Sequence, residues 1–413
     1  MLQKLLGASG IDRRDFLLVF GLLFNVFTWY FFLLSLIDEI ILRNKMEEGL
    51  VIWGAFYLSI IVSSIIGAVL SKRFRGVKFL YSWIALGAIA SLLPVLVNNF
   101  TVTQLMQVSA LLGASFGLGM PSCLAFFTET TKVDNRGRVG GITFLIANLF
   151  AALFAFTFSG LSLSTLFIIC AVWRVTGLSV HFLKPKKHDS TEVTKTSFVT
   201  VLRNRSFILY FVAWLMFCLV DRFEVAFVDY YIKLSNDALF NIMRLIEPVV
   251  ATVFMLIAGF MCDWIGRKKI VLSGFVALGI AYAIIGFLQI SDFSWYLYFI
   301  VDGVAWGIFY LTFVLILWGD LSQAGSREKY YALGSIPFFI SYIIPQFVTV
   351  SFIEDFTLST AFSLAAFFLF LAVLPLIYAP ETLPEKKIEL RRLRSFAEDA
   401  RKAKEKYEEK MKK

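Results

Sequence analysis

Carboxylates and guanidinium groups stand inside stretches of this sequence that are otherwise almost wholly apolar, and they are concentrated in its second half. Residues 206–232 contain Asp221, Arg222, Glu224 and Asp229, residues 238–259 contain Arg244 and Glu247, and residues 294–317 contain Asp302. The first half has one counterpart, Arg174, within 163–183. An ionisable group inside hydrocarbon costs roughly 2.5–3.5 kcal/mol on insertion scales, so each is expected to have a task. Asp221 and Glu224 are three residues apart, as are Arg244 and Glu247, which puts each pair on one helix face. The three stretches hold five acids against two bases. Pairing Arg222 and Arg244 leaves surplus carboxylates to be wetted, protonated or matched by a cationic solute. Desolvation raises a carboxylate's affinity for a proton until it titrates near neutrality, which a proton-coupling site requires. Asp302, Glu247 and Glu224 are the coupling candidates; an internal ion-pair network that fixes helix packing is the structural alternative. Arg174 is read as an anion binder or as a side chain snorkelling toward a basic helix end.

A second set of residues is polar and uncharged. The stretch 329–350 contains Ser335, Pro337, Ser341, Tyr342, Pro345 and Gln346. Two prolines free backbone carbonyls and let a membrane helix bend, so Tyr342 and Gln346 suit a gate, the alternative being a packing kink. Asn25 and Thr28 stand in the middle of 15–37. Metal chemistry is not expected: the histidines are His181 and His188, and Cys123, Cys170, Cys218 and Cys262 are scattered without ligand spacing. With no nucleophile–base pair and no phosphate loop, neither an enzyme nor a cofactor is expected.

The elements that must position these residues are set by composition. Hydrophobic residues make up 59% of the 413 and charged residues 17%, against about 25% charged in globular domains. Twelve apolar runs are long enough to cross a bilayer: 15–37, 49–70, 77–97, 102–126, 139–160, 163–183, 206–232, 238–259, 268–289, 294–317, 329–350 and 358–378. Lipid offers no partner to backbone N–H and C=O groups, so these runs are predicted to be helices. The first is too long for a signal h-region and reads as a membrane helix. With the N-terminus inside, 33 of the 39 Lys and Arg fall in inner segments. Arg43, Lys45 and Lys233 fall outside, and Arg174, Arg222 and Arg244 lie within helices. This bias places both termini in the cytoplasm and explains the net charge of +9 without nucleic acid. The predicted organisation is a six-helix bundle over 1–183, a polar basic linker over 184–205, a second bundle over 206–380 and a tail over 381–413. The tail has Glu and Lys at helical spacing and is read as a solvated helix, with attraction to anionic lipid as the sharper alternative.

The two halves repeat. Gly67-Ala-Val-Leu-Ser71 follows the second run as Gly259-Phe-Met-Cys-Asp263 follows the eighth, an offset of 192 residues. Glu129 with Arg136 follows the fourth run as Asp320 with Arg327 follows the tenth, an offset of 191. The stretch Gly259, Asp263, Gly266, Arg267, Lys268 resembles the best-known signature of the major facilitator superfamily. The two acid-x6-Arg pairs resemble its second cytoplasmic signature, familiar among sugar porters, and Pro380-Glu381-Thr382 is similar to that branch's closing motif. The resemblance covers 15–382. It implies an all-α membrane protein of twelve transmembrane helices in two pseudo-symmetric six-helix bundles, with helices 7 and 10 lining a central cavity. It also implies that Asp263 meets the N-terminus of helix 5 near Arg138 to Gly141, and that Arg267 pairs with Asp320. Gly259, Asp263, Gly266, Arg267, Lys268, Glu129, Arg136, Asp320 and Arg327 would then form the cytoplasmic gate. Ser71 and Phe74 stand where the first half should carry an acid and a glycine, so the charged clasp is expected from the helix 8–9 connection alone. Gln104 and Gln107 replace the arginine of drug–proton antiporters, and Asn25 stands in the region where many sugar–proton symporters carry an acid.

These readings converge on a secondary active transporter that moves a small polar organic solute, a sugar or other metabolite, by alternating access with proton coupling. Its solute or coupling residues are Asn25, Asp221, Arg222, Glu224, Arg244, Glu247, Asp302, Tyr342 and Gln346. The expected setting is a monomer in the cell membrane, with lipid, protons and a small molecule as partners. A non-transporting sensor or scaffold on the same fold, signalling through the tail, is the alternative.

Overall fold

The computed structural model describes residues 11–383, apart from 45, 47, 74–76, 98, 99, 159, 180–195, 236, 288–290, 324 and 349, together with residue 393. Most of the linker and of the tail therefore lies outside the described residues. The first half contains α1 (Arg13–Arg43), α2 (Gly49–Leu70), α3 (Val77–Leu92), α4 (Val102–Thr130), α5 (Arg136–Thr157) and α6 (Leu163–Thr176). The second contains α7 (Arg205–Ser235), α8 (Asp237–Trp264), α9 (Arg267–Phe287), α10 (Asp292–Phe309), α11 (Arg327–Gly334) and α12 (Leu358–Tyr378). Among the described residues, nine helices are long and apolar enough to cross a membrane, and the chain is an integral multi-pass membrane protein.

The packing repeats with a shift of six helices. In the first half α2 lies on α4, α3 on α6 and α1 on both α5 and α6. In the second, α8 lies on α10, α9 on α12, and α7 on α12 and on the continuation of α11. The halves meet through α5 with α8 and through α2 with α11, again equivalent pairs. Glycines permit the closest crossings. A Cβ at Gly113 or Gly117 would collide with the Phe56 or Ile60 carbonyl of α2, and one at Gly303 or Gly307 would lie 2.8 Å or 2.6 Å from the Glu247 or Ala251 carbonyl oxygen of α8. Gly113-x-x-x-Gly117 of α4 thus has a twin in Gly303-x-x-x-Gly307 of α10.

Three boundaries differ from the sequence reading. α8 runs through Trp264, so Gly259 and Asp263 are helical and the turn falls at Gly266, whose φ of 118° favours glycine. α5 starts at Arg136, three residues before its apolar run. The linker is not featureless: Ser197 caps a short helix, Phe198–Leu202, whose Val201 is buried. Lys329 donates to the Thr196 carbonyl and Asn204 donates to the Tyr330 hydroxyl at 2.8 Å, so this end of the linker is fixed to α11.

α10 and α11 are irregular. α10 continues as a π-helix, Tyr310–Ile316, and a last α-turn, Leu317–Leu321. α11 continues through Ile336–Ser341, a 3-10 turn at Ile344–Phe347 and Val350–Asp355. Pro337 and Pro345 each sit in the first turn of a segment, where a missing N–H costs nothing.

Candidate functional site

The α2–α3, α4–α5, α8–α9 and α10–α11 connections share one end of the molecule, termed the basic face. There the carboxylate of Asp263 accepts hydrogen bonds from the backbone N–H groups of Gly137 and Arg138, both at 2.9 Å, and from Arg138 Nε at 3.2 Å. The first N–H groups of α5 have no intrahelical acceptor, and the helix dipole favours an anion beside them. Gly259 makes the approach possible: a Cβ on it or on Gly137 would strike the other residue's carbonyl oxygen. Arg267 is fully buried and donates to Asp320 Oδ2 at 3.0 Å, Asp263 Oδ1 at 3.1 Å and the Cys262 carbonyl at 2.8 Å, and also to the Val133 carbonyl. Arg136 reaches across from the first half to Asp320, which also accepts from Thr382 Oγ1 at 3.2 Å. Breaking one partner out of such a buried network strands a charge, at a cost of about 3–5 kcal/mol.

The clasp is therefore broader than the α8–α9 connection, and that expectation is corrected. Arg136 and Glu129, the latter paired with Arg327 at 2.8 Å, cross from the α4–α5 side. Lys72 crosses from the α2–α3 connection to the Gly325 carbonyl. The ion pairs that cross come from Arg136 and Glu129 and not from Ser71; Phe74 lies outside the described residues. Lys268 does not join the halves: its Nζ donates to the Ile377 carbonyl at 2.7 Å and holds α9 against α12. Glu381 accepts from the Arg267 and Lys268 backbone N–H groups at 2.8 and 3.1 Å, capping α9 where Gly266 leaves room. One deeper cross-half contact is neutral: the Thr128 and Tyr331 hydroxyls lie 2.6 Å apart, and Tyr331 donates to the Leu315 carbonyl at 2.6 Å.

Beyond the clasp, between the halves, lies a narrow ring-lined cavity of about 20 Å³, closed down in this conformation to room for a water molecule. α1 contributes Phe27 and Tyr30, α4 contributes Phe116 and Met120, and α7 contributes Trp214. The π-segment and last turn of α10 contribute Tyr310, Phe313 and Trp318, and α11 and its continuation contribute Tyr331, Ser335, Phe338 and Phe339. On the far side, Tyr57 of α2 stacks on Tyr342 at 4.8 Å. The Arg222 guanidinium lies 4.1 Å from the Tyr342 ring centre and donates to its hydroxyl at 3.2 Å.

The intramembrane charges of the second half do converge, behind this cavity. Trp306 Nε1 donates to Asp221 Oδ1 at 2.9 Å, and Arg222 Nε lies 3.6 Å from Asp221 Oδ2. Glu224, fully buried, accepts at Oε2 from Tyr282 of α9 at 3.1 Å and from Tyr298 of α10 at 2.9 Å. Glu247 and Asp302 are close enough for each charge to act on the other. Glu224 Oε1 and Asp302 Oδ1 are buried without a hydrogen-bond partner. Two neighbouring carboxylates repel, and binding a proton relieves the repulsion. The side chains of Arg244 and Gln346 lie outside the described residues.

Asn25 sits elsewhere. It faces the interior of the first bundle, on the side of α1 opposite Phe27 and Tyr30, and accepts from Arg174 Nη1 at 2.9 Å. The Arg174 guanidinium lies between the rings of Trp29 and Trp83, 4.4 and 4.3 Å from their centres. This corrects both readings: Asn25 does not line the cavity, and Arg174 does not snorkel, being fully buried in an indole sandwich. The tyrosines on Glu224, the tryptophans on Arg174 and the Thr128–Tyr331 bridge were missed from sequence; aromatic residues are too numerous here for any one to stand out.

Two bundles of six helices related by a repeat, with a cavity between them and an ionic clasp at one end, make up the major facilitator fold, and the chain has that fold. It is similar over 89% of its length to a major facilitator superfamily transporter, FucP, in the outward conformation, with a TM-score of 0.69, 15% identity and 99% of that chain covered. It is similar over 88% of its length to the human organic anion transporter MFSD10 (TETRAN), with a TM-score of 0.64, 12% identity and 99% of that chain covered. No family model and no curated protein matches the sequence.

Proposed function

We propose that the protein is a secondary carrier that moves a small organic solute across the cell membrane by alternating access, with proton binding at the Glu247–Asp302 pair coupled to the movement. The observation that carries this reading is a ring-lined cleft between the halves, shut off at one end by a clasp of ions and backbone donors. A charged clasp is a contact that water can replace, so it is reversible in a way that a packed apolar interface is not. The basic face is taken as cytoplasmic from the Lys and Arg bias, so the conformation described is closed to the cytoplasm. The carboxyl pair and Glu224 stand behind the cavity wall, where helix movement alters their exposure. Proton binding then changes the relative stability of the two conformations.

The test is flux in proteoliposomes with a pH-sensitive dye inside. Solute-dependent proton entry is expected from the parent protein, and its loss from Glu247→Gln and Asp302→Asn with solute binding retained. Solute flux with no proton movement would remove the coupling step; binding without any flux would remove the carrier reading.

A further inference from the structure

We infer that the solute is an uncharged, flat heteroaromatic compound bearing a carbonyl-type acceptor, held between the ring walls with its acceptor on the Trp318 indole N–H. This rests on the carrier reading and gives its cavity a chemistry. No residue lining the cavity is charged; Asp221 and Glu224 stand behind the wall, on Trp306, Tyr282 and Tyr298. A charged solute would enter this space with no counter-ion.

The walls are laid out as parallel plates. The Trp214 ring is stacked on Phe313 at 4.6 Å with an interplanar angle of 8°, and lies within 5° of the Phe338 plane at 6.3 Å. A flat ring continues such a stack, whereas a sugar, with hydroxyls around its rim, would leave them unpaired against ring faces. Trp214 and Phe313 are in stacking contact with no gap between them, so the rings must part to admit another.

One buried polar atom of a wall residue has no hydrogen-bond partner, Trp318 Nε1 from the second half. Trp318 is 1% exposed. An indole N–H only donates, so its missing partner is an acceptor. Gly334, also on the wall, lets the Trp318 indole face lie against α11: a Cβ there would lie 2.3 Å from Cε2 and 2.5 Å from Cδ2 and Nε1. The lining thus points away from the sugar expected on the sequence.

The test uses one ring in three charge states: nicotinamide, the nicotinate anion and the 1-methylnicotinamide cation, with L-fucose as the sugar. Binding is read by equilibrium dialysis against the full chain in nanodiscs, with empty nanodiscs subtracted. Saturable binding of nicotinamide in preference to the other three is expected. Trp318→Phe, which keeps a ring and removes the N–H, should weaken it roughly fivefold to tenfold. Gly334→Ala, whose methyl group would push the indole off its seat, should weaken it similarly and stands in if Trp318→Phe does not fold. No saturable nicotinamide binding, preference for nicotinate, the cation or fucose, or indifference to both variants would overturn the inference. None of those outcomes touches the carrier reading, which the flux measurement tests: nicotinamide bound as expected but never moved would leave the solute class standing and remove the carrier.

Discussion

Asp263 concentrates the chemistry of the clasp in one side chain. Its two oxygens take two backbone N–H groups of α5 and two arginines. In Asp263→Asn one oxygen becomes an NH2 group facing a donor, and a charge-assisted hydrogen bond worth about 1.5–3 kcal/mol is lost. The population open at the basic face should rise at least tenfold, read as longer spin-label distances between positions 132 and 323; unchanged distances would mean that Asp263 is not what holds the halves. Asp263, Gly259 and Arg267 were legible in the sequence because their spacing is short and the motif repeats. Asn25 was misplaced for a physical reason. α1 is buried nearly all round, Val19, Trp29, Leu33 and Ile37 among its residues, so no contrast of polar and apolar faces shows which side looks into the cavity.

At the scale of elements, two of the contacts that join the halves are built differently. α5 and α8 meet backbone to backbone at Gly137 and Gly259. A methyl group in Gly259→Ala has nowhere to go, and overpacking of this kind costs about 1–3 kcal/mol. Lower thermal stability is expected together with a more open basic face; the same melting temperature and the same distances as the parent would show that the contact yields. The Tyr331 hydroxyl links α4 to the π-segment of α10 through Thr128 and the Leu315 carbonyl. Tyr331→Phe leaves that carbonyl without its donor, a cost of about 1–3 kcal/mol. Amide hydrogen exchange over 310–321 should speed up, and unchanged exchange would show that the segment holds itself. Helix number and order were legible because the runs are long and apolar. The π-segment was not, since Tyr310–Ile316 contains neither glycine nor proline; its shape follows from packing against α5 and α8.

At the scale of the molecule, the fold is two copies of one six-helix plan, and the copies have diverged in task. The first buries a cation between two indole rings; the second gathers four carboxylates around tryptophan and tyrosine. The repeat offset made the plan legible in the sequence, whereas the cavity wall did not emerge, because lining depends on helix rotation among 45 phenylalanines. The carrier reading requires access to alternate about that cavity. The most direct test places one spin-label pair at positions 132 and 323 on the basic face and another at 48 and 355 on the opposite face, all four residues exposed. Distances are then read in nanodiscs across a pH range. Two populations are predicted, with the far-face pair short wherever the basic-face pair is long. A single population at both faces, or distances that lengthen together, would contradict the account.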